Sequence, residues 1–262
     1  MKKLVSLILM TALLLCGLAS CKTSSGDVQK VKDNDKLVVG VTIYEPMDYI
    51  DSETGEWTGF DAELAKMFAE SLGVNCQLVI IDWNNKVAEL NSNQIDLIWN
   101  GMTASDELGK QIDFSVSYSK NAQVAVAKKG SGITKDTVAA STIAVENGSA
   151  GETVARETLG ATKITEKSDG QVGALAEILA GTSQVAIIDI TMAQNVIGKG
   201  VYADLEIVEG ASYGDEIFAV GLRQGSDLKA ELDAFLKEKY ADGTLTKLAE
   251  KYNVALNIDA LK

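Results

Sequence analysis

Short apolar runs alternate with amphipathic stretches along this chain, and the alternation occurs twice. That rhythm restricts it to a layered α/β fold built on parallel sheets. Residues 37–41 read as a strand. Phe60, Leu64, Met67, Phe68 and Leu72 then recur at the spacing of one helix face, which Gly73 ends. A strand over 77–81, a helix over 84–90, a buried strand at 97–99 and a short extended piece at 112–114 follow. Residues 121–127 (NAQVAVA) alternate polar and apolar until Lys128, Lys129 and Gly130 break the pattern, which fits a crossing into a second unit. There the plan restarts, with a strand at 142–145, a turn at 146–151 and a helix over 152–159. The next helix has Val172, Leu175, Ala176 and Leu179 on one face, and a strand at 185–188 runs into Asp189. After a strand at 217–222, helices are predicted over 226–240 and 242–252. Ser226 and Asp242 are their N-caps, and Leu245, Leu248, Ala249 and Tyr252 form a core stripe.

The strand at 97–99 empties into a turn of small polar groups, Asn100, Gly101, Thr103 and Ser105. In open α/β sheets ligands sit at the carboxyl ends of strands. Gly101 lets a ligand approach the backbone, Asn100 and Thr103 offer side-chain hydrogen bonds, and Ser105 caps the helix opened by Asp106 and Glu107. A small polar guest suits such a turn.

The first residues carry a different message. Lys2 and Lys3 precede an apolar run over 4–15, and Leu18, Ala19, Ser20 and Cys21 close it as a secretory signal with a bacterial lipobox. The run falls short of the roughly 20 apolar residues of a spanning helix. Residues 1–20 are therefore expected to be removed and Cys21 to carry lipid. Residues 21–35, poor in large apolar groups, are expected to form a flexible tether. Loss of residues 1–20 moves the net charge from −13 to about −15, which argues against nucleic acid as a partner. Cys76 then stands alone in the body, so no intrachain disulfide framework exists. The chain contains no His, which excludes imidazole bases, Ser-His triads and His metal ligands. No phosphate loop and no calcium loop occurs either, and no cofactor is implied.

The order of segments 37–40 (LVVG), 44–47 (YEPM), 59–65 (GFDAELA), 82–84 (DWN), 95–103 (IDLIWNGMT), 113–115 (DFS), 147–149 (NGS), 187–189 (IID) and 242–245 (DGTL) resembles the solute-binding proteins of bacterial ABC transporters for polar amino acids. The resemblance implies a two-lobed, type II periplasmic-binding-protein-like fold, each lobe a mostly parallel sheet flanked by helices and joined by two hinge strands. Lobe 1 would comprise 36–124 and 219–262, and lobe 2 125–218. A monomer would close on a small solute, an amino acid or close derivative, and deliver it to a membrane permease. It would be held by the lipid on Cys21 to the outer face of the cytoplasmic membrane or within the periplasm.

By the same resemblance Tyr44 and Trp83 would wall the ligand, and Gly101 and Thr103 would hydrogen-bond it. Ser149 with the amides near Gly148 and Ala150 would meet a carboxylate at a helix start, and Asp189 would take an ammonium group. One position departs from the pattern. Where the family usually has an Arg that forks onto the α-carboxylate, this chain has Leu108, and its only arginines are Arg156 and Arg223. Either helix amides, with Lys120 or Asn121 assisting, hold the carboxylate, or the ligand is an amine welcomed by Glu45, Asp48 and Asp189. A dehydratase-like enzyme on the same fold is a third reading, with Glu45 or Glu152 as the general acid.

Overall fold

A computed structural model describes residues 26–262. The signal segment and the lipobox with Cys21 lie outside the described residues. Among the described residues, twelve strands form two five-stranded sheets and a hairpin. In chain order they are β1 (Lys36–Val41), β2 (Tyr49–Ile50), β3 (Trp57–Thr58), β4 (Asn75–Ile80), β5 (Leu97–Ile98), β6 (Asp113–Phe114), β7 (Ser119–Lys128), β8 (Ile143–Glu146), β9 (Ile164–Lys167), β10 (Val185–Asp189), β11 (Leu205–Phe218) and β12 (Gly221–Leu222). The first sheet runs β4-β1-β5-β12-β6 and the second β9-β8-β10-β7-β11.

The two sheets repeat one design. In each, a first strand lies between the second and third in parallel register, and the third then pairs with an antiparallel strand, β12 on β5 and β7 on β10. Both sheets end their parallel strands toward the same space, which becomes the site.

Helices cover the sheets where the apolar spacing allows it. The helix Phe60–Leu72 buries Phe60, Leu64, Ala65 and Phe68 and ends on Gly73 in the left-handed region. Phe68 meets both Trp99 and Phe235, which ties the C-terminal helix Leu228–Ala241 to the first sheet. Leu245, Leu248, Ala249 and Tyr252 are the buried stripe of the helix Thr244–Tyr252.

Several details depart from the sequence reading. The tether does not extend through its described part. Asp27–Asp33 is a helix that buries Val31, with Asp27 paired to Arg223 and Lys30 to Asp96. Arg223 also donates to the carbonyls of Leu90 and Ile95, so this guanidinium is the peg on which the helix hangs. Ser226 does not cap a helix; its hydroxyl donates to Asp27 and the helix begins one turn position later, after Asp227. Gly243 occupies the N-cap position of the last long helix, while Asp242 accepts from the Thr244 amide. The turn after Ser105 gives only a 3-10 segment, Leu108–Lys110, although Ser105 Oγ does accept from the Leu108 amide.

The crossing between units is a ladder of β7 and β11, paired from Ser119–Phe218 to Lys128–Leu205. β7 is continuous through residue 124, where the sequence reading placed the end of lobe 1. The apolar segment 217–222 is divided between β11 and β12, because the chain leaves one sheet at Phe218 and enters the other at Gly221.

Candidate functional site

A cavity of about 620 Å³ lies between the two sheets, at the carboxyl ends of their parallel strands. From the first sheet, Tyr44 follows β1, Trp83 and Lys86 follow β4, and Asn100, Gly101, Thr103 and Leu108 follow β5. From the second, Glu146, Gly148, Ser149 and Ala150 follow β8, and Asp189 ends β10. Nine residues singled out from sequence, Tyr44, Trp83, Asn100, Gly101, Thr103, Gly148, Ser149, Ala150 and Asp189, all border this one space, and so does Leu108.

Two others do not. Glu45 is exposed and does not line the cavity. Asp48 is fully buried behind it, where Oδ2 accepts from Asn100 Nδ2 at 2.7 Å. Its neighbourhood to Tyr44 in sequence misleads because the tight bridge between Tyr44 and Asp48 turns the carboxylate inward. Asn100 likewise spends its side chain on Asp48 and on the backbone and hydroxyl of Thr42, so it braces the turn.

Asp189 is the electrostatic centre. It is 5 % exposed, and its carboxylate accepts from Asn121, Gln123 and Gln171 while its own amide donates to Gln171 Oε1 at 2.9 Å. Burial raises its pKa to about 7, with Glu216 adding to the rise and the amide donors opposing it. Glu216 Oε2 accepts from Asn121 at 2.8 Å, from Gln123 at 3.0 Å and from Thr103 Oγ1 at 2.9 Å. One net of amides thus holds two carboxylates, and Thr103 links it to the first sheet.

Glu216 was not legible as a site residue. It sits in β11 beyond a bulge, between Tyr213 and Glu216, where strand alternation no longer tells which way a side chain faces. Lys86 and Glu146 were missed as well. Lys86 Nζ lies 4.8 Å from the Trp83 ring centre and donates to the carbonyls of Trp83 and, at 2.9 Å, Gly148. Burial lowers its pKa to about 8 against the pull of Glu146, Asp82 and Glu152.

Two glycines permit close approach. Gly101 has φ +54°, and a Cβ there would stand 2.6 Å from the Tyr44 ring. Its amide donates to Asp61 Oδ2, which also accepts from the Tyr118 hydroxyl. Gly148 has φ +72°, and a Cβ would stand 2.9 Å from Asn84 Cα on the opposite side of the cavity. Gly148→Ala is expected to hold the two sides apart. At about 1–3 kcal/mol for such strain, affinity falls about 5- to 150-fold. Calorimetric titration with scattering measurements of compactness checks this; unchanged affinity with unchanged ligand-bound dimensions refutes the contact's role.

Ser149 is the N-cap of the helix Ala150–Thr153, accepting from the Glu152 amide, and Glu152 in turn accepts from the Gly148 amide and pairs with Arg156. The helix continues as a π turn over Val154–Thr158. Its first residues, Ala150 and Gly151, line the cavity, an arrangement that favours an anion.

Residues 37–255 match the profile described as bacterial extracellular solute-binding proteins, family 3. The arginine-binding extracellular protein ArtP of Bacillus subtilis (strain 168) is 30% identical over 250 residues, 94% of this chain and 96% of that protein. The structure of a substrate binding protein of an ABC uptake transporter from Streptococcus pneumoniae with bound histidine superposes with TM-score 0.79 at 30% identity, covering 88% of this chain and 97% of the other. The ancestral amino acid-binding protein AncCDT-1, a precursor of cyclohexadienyl dehydratase, gives TM-score 0.77 at 27% identity, with 86% of this chain and 98% of that chain covered.

Proposed function

Because the chain belongs to the bacterial extracellular solute-binding proteins of family 3, we propose that it captures an amino acid or close derivative between its lobes and delivers it to an ABC transporter in the membrane. The observation that carries the reading is the buried carboxylate of Asp189, set in a cavity that Tyr44 and Trp83 also line. In water an ammonium gains little from a carboxylate; in this enclosed site the same pair is far stronger, and the amides on Asp189 keep the carboxylate in place. Lys86 and the helix start at Ala150 and Gly151 supply the positive potential for a ligand carboxylate that Leu108 cannot contact.

The protein works as a monomeric receptor, tethered by a lipid on Cys21 to the outer face of the cytoplasmic membrane or within the periplasm. Among the described residues no helix is long and apolar enough to cross a membrane, and a lipid would supply the anchor. An enzymatic role finds no support in Glu45 or Glu152, since Glu45 is exposed away from the cavity and Glu152 is ion-paired with Arg156 and does not line the cavity. A second reading, a receptor for amines, is favoured by one observation: Asp189, Glu216, Glu146, Glu107 and Glu157 line the cavity, where Lys86 is the one lining cation among the described residues and the family's Arg is Leu108.

Thermal melts of the purified protein with the common amino acids and their decarboxylated amines test both readings. A ligand at about 1,000 times its Kd stabilises by roughly 4 kcal/mol, which raises the melting point by on the order of 10 °C in a chain of this size. Stabilisation by an amino acid and not by its amine supports the first reading. The reverse supports the second, and a conversion product in the mixture would overturn both.

A further inference from the structure

Glu146 is left unpartnered by the fold. It ends β8 beside the cavity, is 4 % exposed, and its Oε1 is buried with no hydrogen-bond partner. No ion pair reaches it among the described residues: Lys86 attracts it, yet Lys86 Nζ donates to the carbonyls of Trp83 and Gly148. A buried, unpartnered carboxyl is costly and calls for a donor that the chain does not supply. Asp189 ends β10, the parallel neighbour of β8, so the two carboxyls stand at one sheet edge and repel one another.

We infer that Glu146 is a ligand-binding residue that takes a second cationic nitrogen, and that the solute is an organic dication with one nitrogen at Asp189 and another at Glu146. This deepens the receptor reading and rests on it. A dibasic amino acid and a diamine share the required chemistry. Glu216 adds negative potential between them and the first lobe, and a singly charged or neutral ligand would leave Glu146 buried without a donor. The other titratable groups around Glu146 are Lys86, Asp169 and Asp82, and three of these four neighbours, Asp189 included, are acids.

Matched ligand pairs that differ only in the second nitrogen read this directly: lysine against norleucine, and cadaverine against pentylamine. Titration calorimetry on the wild-type protein is expected to show at least a 30-fold preference for the dication in one pair or both, and Glu146→Gln is expected to reduce that preference to threefold or less. The lysine pair alone responding identifies a dibasic amino acid, and the cadaverine pair alone a diamine; both outcomes support the inference. The melting point of ligand-free Glu146→Gln, expected at or above that of the wild type because a costly buried acid is removed, shows that the variant is folded. Equal affinities within each wild-type pair, or a preference unchanged in Glu146→Gln, overturn the inference and leave the receptor reading standing. If no amino acid and no amine binds the wild type, the receptor reading itself falls, and this inference with it.

Discussion

Asp189→Asn is expected to weaken ligand binding by about a thousandfold while the ligand-free protein still folds. Removing one partner from a buried ion pair costs about 3–5 kcal/mol, and each 1.4 kcal/mol is roughly tenfold in Kd. The geometry makes Asn a poor substitute despite its size. The carboxylate of Asp189 receives three side-chain amide donors, from Asn121, Gln123 and Gln171. An amide at 189 brings one NH2 group against those donors, so at least one of the three must rotate away or lose its acceptor. Asn121 and Gln123 also donate to Glu216, so a rotation there disturbs the link from Glu216 to Thr103 as well. Fold stability responds in the opposite sense. The ligand-free carboxylate is held at a pKa of about 7 by burial and by Glu216, and a neutral side chain removes that burden. Calorimetry and a melting curve on the same variant separate the two effects. Binding within threefold of wild type would mean that Asp189 does not hold the ligand's cation.

How far a reader of the sequence can reach such a site depends on what sets each side chain's direction. The helix Phe60–Leu72 was legible to the residue because an unbroken apolar stripe ends on a glycine with a left-handed conformation. Asp189 was legible as a strand end because the apolar run before it marks a buried β-strand, while its place among the site residues came from the family resemblance. Glu146 bears the same mark after Ile143, Ala144 and Val145, and the signal was there to be used. The small polar residues that follow it, Asn147, Gly148 and Ser149, give the segment the composition of a turn and mask the strand end.

β11 was not legible before its last two residues, Ile217 and Phe218. Its 14 residues carry two register shifts, one across Gly210 and one across Gly214, and no period of two survives them. Glu216, which this strand delivers to the cavity, had no local signal. The helix Asp27–Asp33 was hidden for another reason. It is seven residues long, has one fully buried side chain, and is held by Arg223 from 196 positions away, as its composition alone could not announce. Asp48 and Glu45 fail in the converse sense: both stand beside Tyr44 in sequence, yet one faces the core and the other solvent.

Ligand affinity is expected to rise steeply with pH between about 6 and 8. In the ligand-free protein burial lifts Asp189 to about 7 and Glu146 to about 8, with Asp61, in the core behind Gly101, at about 7. The unfolded chain releases these protons near the ordinary carboxyl values of about 4. Between about pH 4 and pH 8 the folded state therefore binds more protons than the unfolded state, and the stability of the ligand-free protein falls as pH rises through that window. A cationic ligand reverses the preference at Asp189 and Glu146, since it binds their ionised forms. If both must ionise, affinity at pH 6 is lower than at pH 8 by about two to three orders of magnitude, from the tenfold per pH unit that each proton contributes. Asp48, likewise raised by burial and by Asp61, does not line the cavity and adds to the stability slope, not to the binding slope. The chain has no His, and Lys86, lowered to about 8, begins to lose its charge only at the upper edge of the window. Tyr44, beside Asp189, titrates far above it. Calorimetry in buffers of different ionisation enthalpy at pH 7 should register proton release on binding, and Glu146→Gln should remove the part of the slope nearest pH 8. An affinity that is flat from pH 6 to pH 8, or a melting point of the ligand-free protein that climbs over the same range, would mean that these carboxyls are already ionised without ligand, and that the cavity pairs them by some group other than the solute.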